Sequence, residues 1–203
     1  MVLLMISGIL LAAGQSRRMG SLKQLLPFGS TTIIDSGINS LRATRIAELI
    51  IVVGYRADEV SEHIQIYQQD TRIKLILNQQ YLTGMTSSVQ AGLRAVSPQS
   101  QALVLALVDQ PRVTSHTIDQ LIDTYYQSQA TIIKPRYLGQ TGHPLIIART
   151  CWPEILALSA DQGLNLVTRA YQSQTHYLEV ADSAVIEDID TPDDYAREVS
   201  KHF

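Results

Sequence analysis

The chain has 203 residues, 45% of them hydrophobic and 17% charged, enough to bury one ordinary core without disulfides or a structural metal. Its net charge of -3 supplies no global attraction to nucleic acid or to anionic membranes, so neither is expected as a partner and any anion site has to be built locally. The single cysteine, Cys151, excludes an intrachain disulfide and a cysteine-based zinc site, and it suits a reducing cytoplasm.

The apolar opening, Met1 to Ala13, has no basic residue before it, is followed by two arginines, and is too short to span a bilayer. It reads as a first buried strand over residues 3–11 rather than as a targeting segment. Further continuous apolar runs fall at Glu48–Val53, Lys74–Leu77 and Ala102–Val108. Runs without alternation suit strands covered on both faces, as in a parallel sheet. Helical spacing marks the segments between them: Thr31–Ala43, Ala57–Tyr67, Ser88–Val96 and Ser115–Gln127, the last capped by Ser115.

After about Ala130 the rhythm changes. Thr131–Pro135 and His143–Ile147 predict two strands joined by the turn-rich stretch Arg136 to Gly142. One or two helices follow between Trp152 and Tyr171, with Cys151 and Trp152 as packing residues. A last strand is expected around Ser183–Asp188, then a C-terminal helix opened by Thr191-Pro192, with proline at its favoured first position. Strand–helix alternation without repeats or linkers predicts one doubly wound, Rossmann-like α/β domain with a three-layer α/β/α build and a mostly parallel sheet.

Directly after the first strand comes Leu10-Leu11-Ala12-Ala13-Gly14-Gln15-Ser16-Arg17-Arg18-Met19-Gly20. Small residues at Ala12, Ala13 and Gly14 let the backbone approach a ligand, and such a turn can aim several N–H groups at one anion. Arg17, Arg18 and Lys23 add three cations at the carboxyl end of the sheet, where open α/β sheets bind ligands. The segment lacks the P-loop and the G-x-G-x-x-G spacings, and taken alone it is equally a tight turn with a solvated basic face.

Leu11 to Gly20, continued by Lys23-Gln24-Leu25-Leu26-Pro27-Phe28-Gly29, resembles the signature of the nucleotidyltransferases of molybdenum cofactor biosynthesis. Within them it is most similar to the cytidylyltransferase branch. Guanylyltransferase relatives usually carry a second glycine where Ala13 stands and an aspartate where Leu22 stands. The resemblance spans Leu10 to Asp194. It implies the nucleotidyltransferase fold, with a nucleotide-binding part over about 1–112 and an acceptor-binding part over about 113–203.

By that resemblance, Leu11, Ala12, Ala13 and Gly14 would face base and ribose, while Arg18 and Lys23 would grip the triphosphate. Asp109, in the Asp-Gln-Pro that ends the fourth apolar run, either caps the next turn or holds Mg²⁺, or Mn²⁺ in its place. The resemblance implies the metal role, and implies Asp190 of Ile-Asp-Thr-Pro-Asp as the second ligand, with Arg18, Lys23 and Asp109 as the catalytic set. Asp190 or Thr191 alone could cap the last helix, Asp193 and Asp194 suit its N-terminus, and Asp188 reads as support for a strand end.

Asn78-Gln79-Gln80-Tyr81-Leu82-Thr83-Gly84-Met85-Thr86-Ser87-Ser88 precedes a helix and offers either helix capping by Ser87 or Ser88, or a polar pocket; the resemblance, through Gly84-Met85-Thr86-Ser87-Ser88, implies nucleotide contacts from Gly84 and Ser88. Gly142-His143-Pro144 would form the acceptor loop, with His143 orienting a phosphate or serving structure alone. Asp161-Gln162-Gly163 is similar to a family turn, although Asn165 departs from it.

The implied reaction takes CTP and molybdopterin, in the form of molybdenum cofactor, as partners, and a molybdenum hydroxylase would receive the product. The alternatives are a GTP-dependent enzyme, a sugar- or polyol-phosphate nucleotidyltransferase, and a non-catalytic cofactor carrier.

Overall fold

A computed structural model describes residues 5–200; the first two residues of the expected 3–11 run lie outside them. In chain order the strands are β1 (Ile6–Ala12), the short β2 (Pro27–Phe28) and β3 (Thr31–Thr32), β4 (Glu48–Val53), β5 (Ile73–Leu77), β6 (Ala102–Leu107), β7 (Ile132–Tyr137), β8 (Gln140–Thr141), β9 (Leu145–Ala148) and β10 (Thr175–Glu179). The helices are α1 (Ile33–Arg42), α2 (Ala57–His63), α3 (Met85–Ala95), α4 (Ser115–Gln127), α5 (Trp152–Ala157), α6 (Asn165–Ala170) and α7 (Pro192–Ser200).

The main sheet runs β10-β7-β9-β6-β1-β4-β5, with β8 attached to β7. The pairs β1–β4, β1–β6, β4–β5 and β7–β10 are parallel, whereas β9 runs antiparallel to both β6 and β7. Every residue of β1 and β4 is buried, as their mainly apolar runs require, and the polar Ser7 and Glu48 among them are hydrogen-bonded to each other. Ile6, Leu10 and Ala12 enter one core cluster with α1 and α4, whereas Ile9, Leu11 and Ala13 enter the other with α3, α5 and α6. That period of two on a strand buried from both sides produces the three layers.

The chain moves outward from β1 through β4 to β5, then returns to place β6 on β1's other side. The strand order therefore reverses between β1 and β6, and a crevice opens beyond their carboxyl ends. Among the described residues no helix is long and apolar enough to cross a membrane.

Three local expectations change. The last strand lies at Thr175–Glu179, paired with β7, and Ser183–Ile186 is a 3₁₀ turn instead. Asp182 caps that turn by accepting from the Ala184 amide, and Ala184 and Val185 are buried as a turn rather than as a strand face. Helix α4 is capped by Thr114, whose hydroxyl accepts from the Thr117 amide, so Ser115 is already its first residue. Helix α3 begins at Met85, and neither Ser87 nor Ser88 caps it; Gly84, at φ 116°, turns the chain into the helix through a region that side chains resist.

Candidate active site

The loop after β1 is fastened from beneath. Gln24 is fully buried, and its Nε2 donates to the carbonyls of Ala12 (3.0 Å) and Gly14 (2.9 Å). The Ala13 carbonyl accepts from the Tyr55 amide at 3.1 Å. With these carbonyls drawn into the protein, the N–H groups of Gly14, Gln15 and Ser16 find no acceptor among the described residues. Three adjacent free amides at a strand's carboxyl end make an anion-binding edge.

Opposite the loop, β6 runs out into Asp109. The Ile189 amide donates to the Asp109 carbonyl at 2.8 Å, which brings the 188–190 segment against this strand end. Lys23 completes the join. Its side chain is 8% exposed, and its ammonium donates to Asp109 Oδ2 (3.1 Å), Asp190 Oδ1 (3.0 Å) and the Ile189 carbonyl (2.8 Å). Arg18, mostly exposed, pairs with Asp190 Oδ2 at 2.7 Å. Two carboxylates and two cations from three distant segments thus share one floor.

Gln110 holds the arrangement from behind. Buried itself, it donates to the Val185 carbonyl (3.1 Å) and to Asp188 Oδ1 (2.8 Å). Burial pushes the Asp188 carboxyl above its usual range; the Gln110 hydrogen bond opposes this, and the neighbouring charges of Asp109 and Asp190 add to it. Asp188 therefore supports Gln110 rather than a strand end. Thr191 and Asp194 cap α7 reciprocally: the Asp194 amide donates to the Thr191 hydroxyl (3.2 Å), and the Thr191 amide to Asp194 Oδ2 (2.9 Å). That commits Asp194 to the helix and leaves Asp190 facing Arg18 and Lys23.

A cavity of about 310 Å³ lies between these walls. Leu11, Ala13, Gly14, Arg18, Lys23, Gly84, Ser88, Asp109 and Asp190 all line it. Ala12 does not; it is fully buried and contributes its carbonyl to Gln24. Ser88 reaches the cavity with its hydroxyl already accepting from Asn78 Nδ2 (3.0 Å), which also donates to the Ser87 hydroxyl at 2.9 Å. Leu22 packs into the core and is absent from the cavity wall.

A second cavity, about 470 Å³, adjoins the first and shares Gly84 and Met85 with it. Gly142 and His143 line it, together with the Asp161-Gln162-Gly163 turn, which Thr86 ties to α3 by donating to the Gln162 carbonyl at 2.7 Å. Pro144, joined to His143 by a cis peptide bond, is buried on the other side and lines neither of these two cavities. A side chain at Gly142 would begin 1.7 Å from the Val185 carbonyl oxygen, so only glycine fits there. Burial pushes the His143 imidazole below its ordinary pKa; the Asp109 carboxylate opposes this and the Lys134 ammonium reinforces it. The ring is accordingly neutral at pH 7.

The pair Asp109 and Asp190 is compatible with a hard divalent cation. Asp109 Oδ1 is buried and has no hydrogen-bond donor, an arrangement that a cation would satisfy. Among the described residues no cluster of three or more His, Cys, Asp or Glu forms a ready-made metal cage. Mg²⁺ typically needs none, because one or two carboxylates plus substrate phosphates complete its oxygen shell.

Gln24, Asn78, Gln110 and Lys134 had no role assigned from sequence. Gln24, Asn78 and Gln110 lie within the quoted segments, and their neutral side chains give no sign of burial; Lys134 lies in a strand outside any chemical pattern.

A switch-point crevice of this kind, with free amides facing a carboxylate pair, places the molecule among the Rossmann-like nucleotidyltransferases. The chain belongs to the MobA-like NTP transferase family, whose domain matches residues 8–176. It is 32% identical over 188 residues to the molybdenum cofactor cytidylyltransferase of Escherichia coli K12, covering 92% of each chain. It is 28% identical over 194 residues to the nicotine blue oxidoreductase of Paenarthrobacter nicotinovorans, again over 92% of each. Among solved structures, Rv0371c of Mycobacterium tuberculosis H37Rv matches with a TM-score of 0.84 and 31% identity, over 98% of this chain and 100% of that one. A complex of Rv0371c with manganese matches with a TM-score of 0.80 and 29% identity, over 97% and 98%.

Proposed function

We propose that the protein transfers CMP from CTP to the terminal phosphate of molybdopterin, yielding molybdopterin cytosine dinucleotide and pyrophosphate. The observation that carries this reading is the Lys23 ammonium joined to both Asp109 and Asp190 beneath an anion-binding loop. The 32% identity to the Escherichia coli cytidylyltransferase supports the substrate pair. The triphosphate lies along the Gly14–Ser16 amides with Arg18 over it, and Leu11, Ala13, Gly84 and Ser88 surround the nucleoside. The acceptor occupies the second cavity beside Gly142 and His143, with Pro144 shaping their turn. On this reading nucleotide contacts fall mainly in 1–112 and acceptor contacts mainly in 113–203, with Asp190 reaching back to the nucleotide.

An oxygen of the acceptor phosphate forms a bond to the α-phosphorus as the bond from that phosphorus to the α,β-bridging oxygen breaks, and pyrophosphate leaves. The nucleophile is already anionic, so no side chain has to remove a proton. The protein's task is alignment and charge neutralisation. Asp109 and Asp190 would hold Mg²⁺ or Mn²⁺, which when bound supplies positive charge to the triphosphate oxygens. Lys23 keeps the two carboxylates in register, and the neutral His143 offers a hydrogen bond without adding charge. We place the reaction in the cytoplasm, with a molybdenum hydroxylase as recipient of the product.

The test is pyrophosphate release from CTP or GTP, with molybdenum cofactor and Mg²⁺ or Mn²⁺ present. CTP is expected to be preferred, because Ala13 leaves less room at the cavity wall than the second glycine of the guanylyl branch. Asp109→Ala is expected to lower turnover by about a hundredfold or more while the fold persists. Turnover with GTP instead would reassign the nucleotide. Near-normal release by Asp109→Ala would remove the metal assignment, and tight cofactor binding without any release would favour a carrier.

A further inference from the structure

The second cavity is walled on one side by a cation that nothing among the described residues neutralises. Lys134 follows Ile132 on one face of β7, the face that meets α3, α5 and α6. It is only partly exposed and, among the described residues, it is the only lysine or arginine withdrawn from solvent that forms neither an ion pair nor a hydrogen bond. The others withdrawn in this way, Lys23, Arg42, Arg112 and Arg136, each meet a carboxylate. Burial alone pushes the Lys134 amine below its ordinary pKa. Holding a partly desolvated ammonium without a partner is unfavourable unless a ligand supplies the opposite charge.

The location says which ligand. Lys134 and His143 line the same cavity, which adjoins the first through Gly84 and Met85. An anion held here therefore sits at the junction with the nucleotide cavity. A phosphate monoester arriving there approaches Asp109 and Asp190, which repel it. Lys23 does not offset that repulsion freely, because all its bonds go to those carboxylates and the Ile189 carbonyl. Arg18 is likewise engaged by Asp190 on the loop side. The one carboxylate lining the second cavity, Asp161, is exposed and accepts from the Ser159 hydroxyl at 2.6 Å.

We propose that Lys134, with His143 beside it, binds the terminal phosphate of the acceptor and holds it against the nucleotide cavity. This rests on reading the second cavity as the acceptor side. Lysine acts as a point charge on a flexible stem, which suits a phosphate that has to settle into line before reacting.

Two measurements on the full-length protein test this. With CTP saturating and molybdenum cofactor varied, Lys134→Met raises the acceptor KM by about tenfold or more and leaves the KM for CTP within about twofold. Lys134→Arg, which keeps the charge, recovers most of the loss. An acceptor KM that stays within about twofold of wild type in Lys134→Met, or an equal rise in both KM values, overturns the proposal. In parallel, an amine-reactive label is followed by mass spectrometry at Lys134, with exposed Lys74 as the internal control. Inorganic phosphate is expected to slow labelling at Lys134 and not at Lys74. If the wild-type protein transfers no nucleotide, the functional reading fails by itself; phosphate protection of Lys134 then still upholds the anion subsite, and absence of protection removes it.

Discussion

Replacing Lys23 with methionine keeps most of the side chain's packing and removes its charge. Three acceptors then lose their donor: Asp109 Oδ2 at 3.1 Å, Asp190 Oδ1 at 3.0 Å and the Ile189 carbonyl at 2.8 Å. Breaking a fully buried pair costs about 3–5 kcal/mol, because the surviving charge is left without compensation. Here the carboxylates keep 25% and 29% of their side-chain exposure and can rehydrate in part, so the lower end, about 3 kcal/mol, is expected. Two adjacent carboxylates without their shared cation should also hold a divalent ion more tightly. A cation at ten times its Kd restores about 1.4 kcal/mol. Urea unfolding of wild type and Lys23→Met, with and without MgCl₂, measures both effects. A variant within about 0.5 kcal/mol of wild type, or one that gains no more from Mg²⁺ than wild type does, would refute the electrostatic role assigned to this lysine.

Gly142→Ala is expected to lose about 1–3 kcal/mol by thermal or urea unfolding, since its Cβ would start 1.7 Å from the Val185 oxygen and push the 140–144 loop off the 183–186 turn. Unchanged stability would mean that this contact is loose. Stability should also fall in acid through Glu48. Burial opposes ionisation of this carboxyl, but the hydrogen bonds from Lys74, Ser7 and the Ser97 amide prevail and hold it below the usual carboxylate range. Because the folded-state pKa is the lower one, the contribution is present above the unfolded value of about 4.3 and is lost as pH falls through the folded one. Glu48→Gln should therefore be less stable than wild type at pH 7, and the gap should close as pH falls through the folded-state pKa. A gap that stays constant with pH would contradict the assignment.

What could be read from the residues followed from short-range physics. β1, β4 and β6 were legible because a strand buried on both faces is apolar at nearly every position; the two polar exceptions, Ser7 and Glu48, are hydrogen-bonded to each other. The loop after β1 was legible as a candidate anion site because small residues and cations share one segment directly after such a strand, although the residues alone left a tight turn with a solvated basic face equally open. β10 was missed because it is an edge strand whose sequence, Thr-His-Tyr-Leu-Glu, is half exposed, whereas the apolar Ser183–Ile186 mimics a strand and folds as a turn. Local composition does not separate a buried turn from a buried strand.

The chemistry of the site was decided at longer range. Asp109 and Asp190 are 81 positions apart (190 minus 109), and they meet because the Ile189 amide bonds the Asp109 carbonyl and Lys23 bridges their side chains. Gln24 turns the loop's carbonyls inward, leaving its amides outward, which no count of glycines would reveal. Leu22, a sequence marker of the cytidylyl branch, proves to be a core residue, so the nucleotide side of that distinction rests on Ala13 at the cavity wall. Lys134 differs from every other withdrawn cation among the described residues, each of which has a carboxylate beside it. The sequence by itself determined the layers and the position of the loop, because burial and backbone geometry act within a few residues. Only the tertiary structure decided which charges face one another, because that depends on where strands far apart in the chain end.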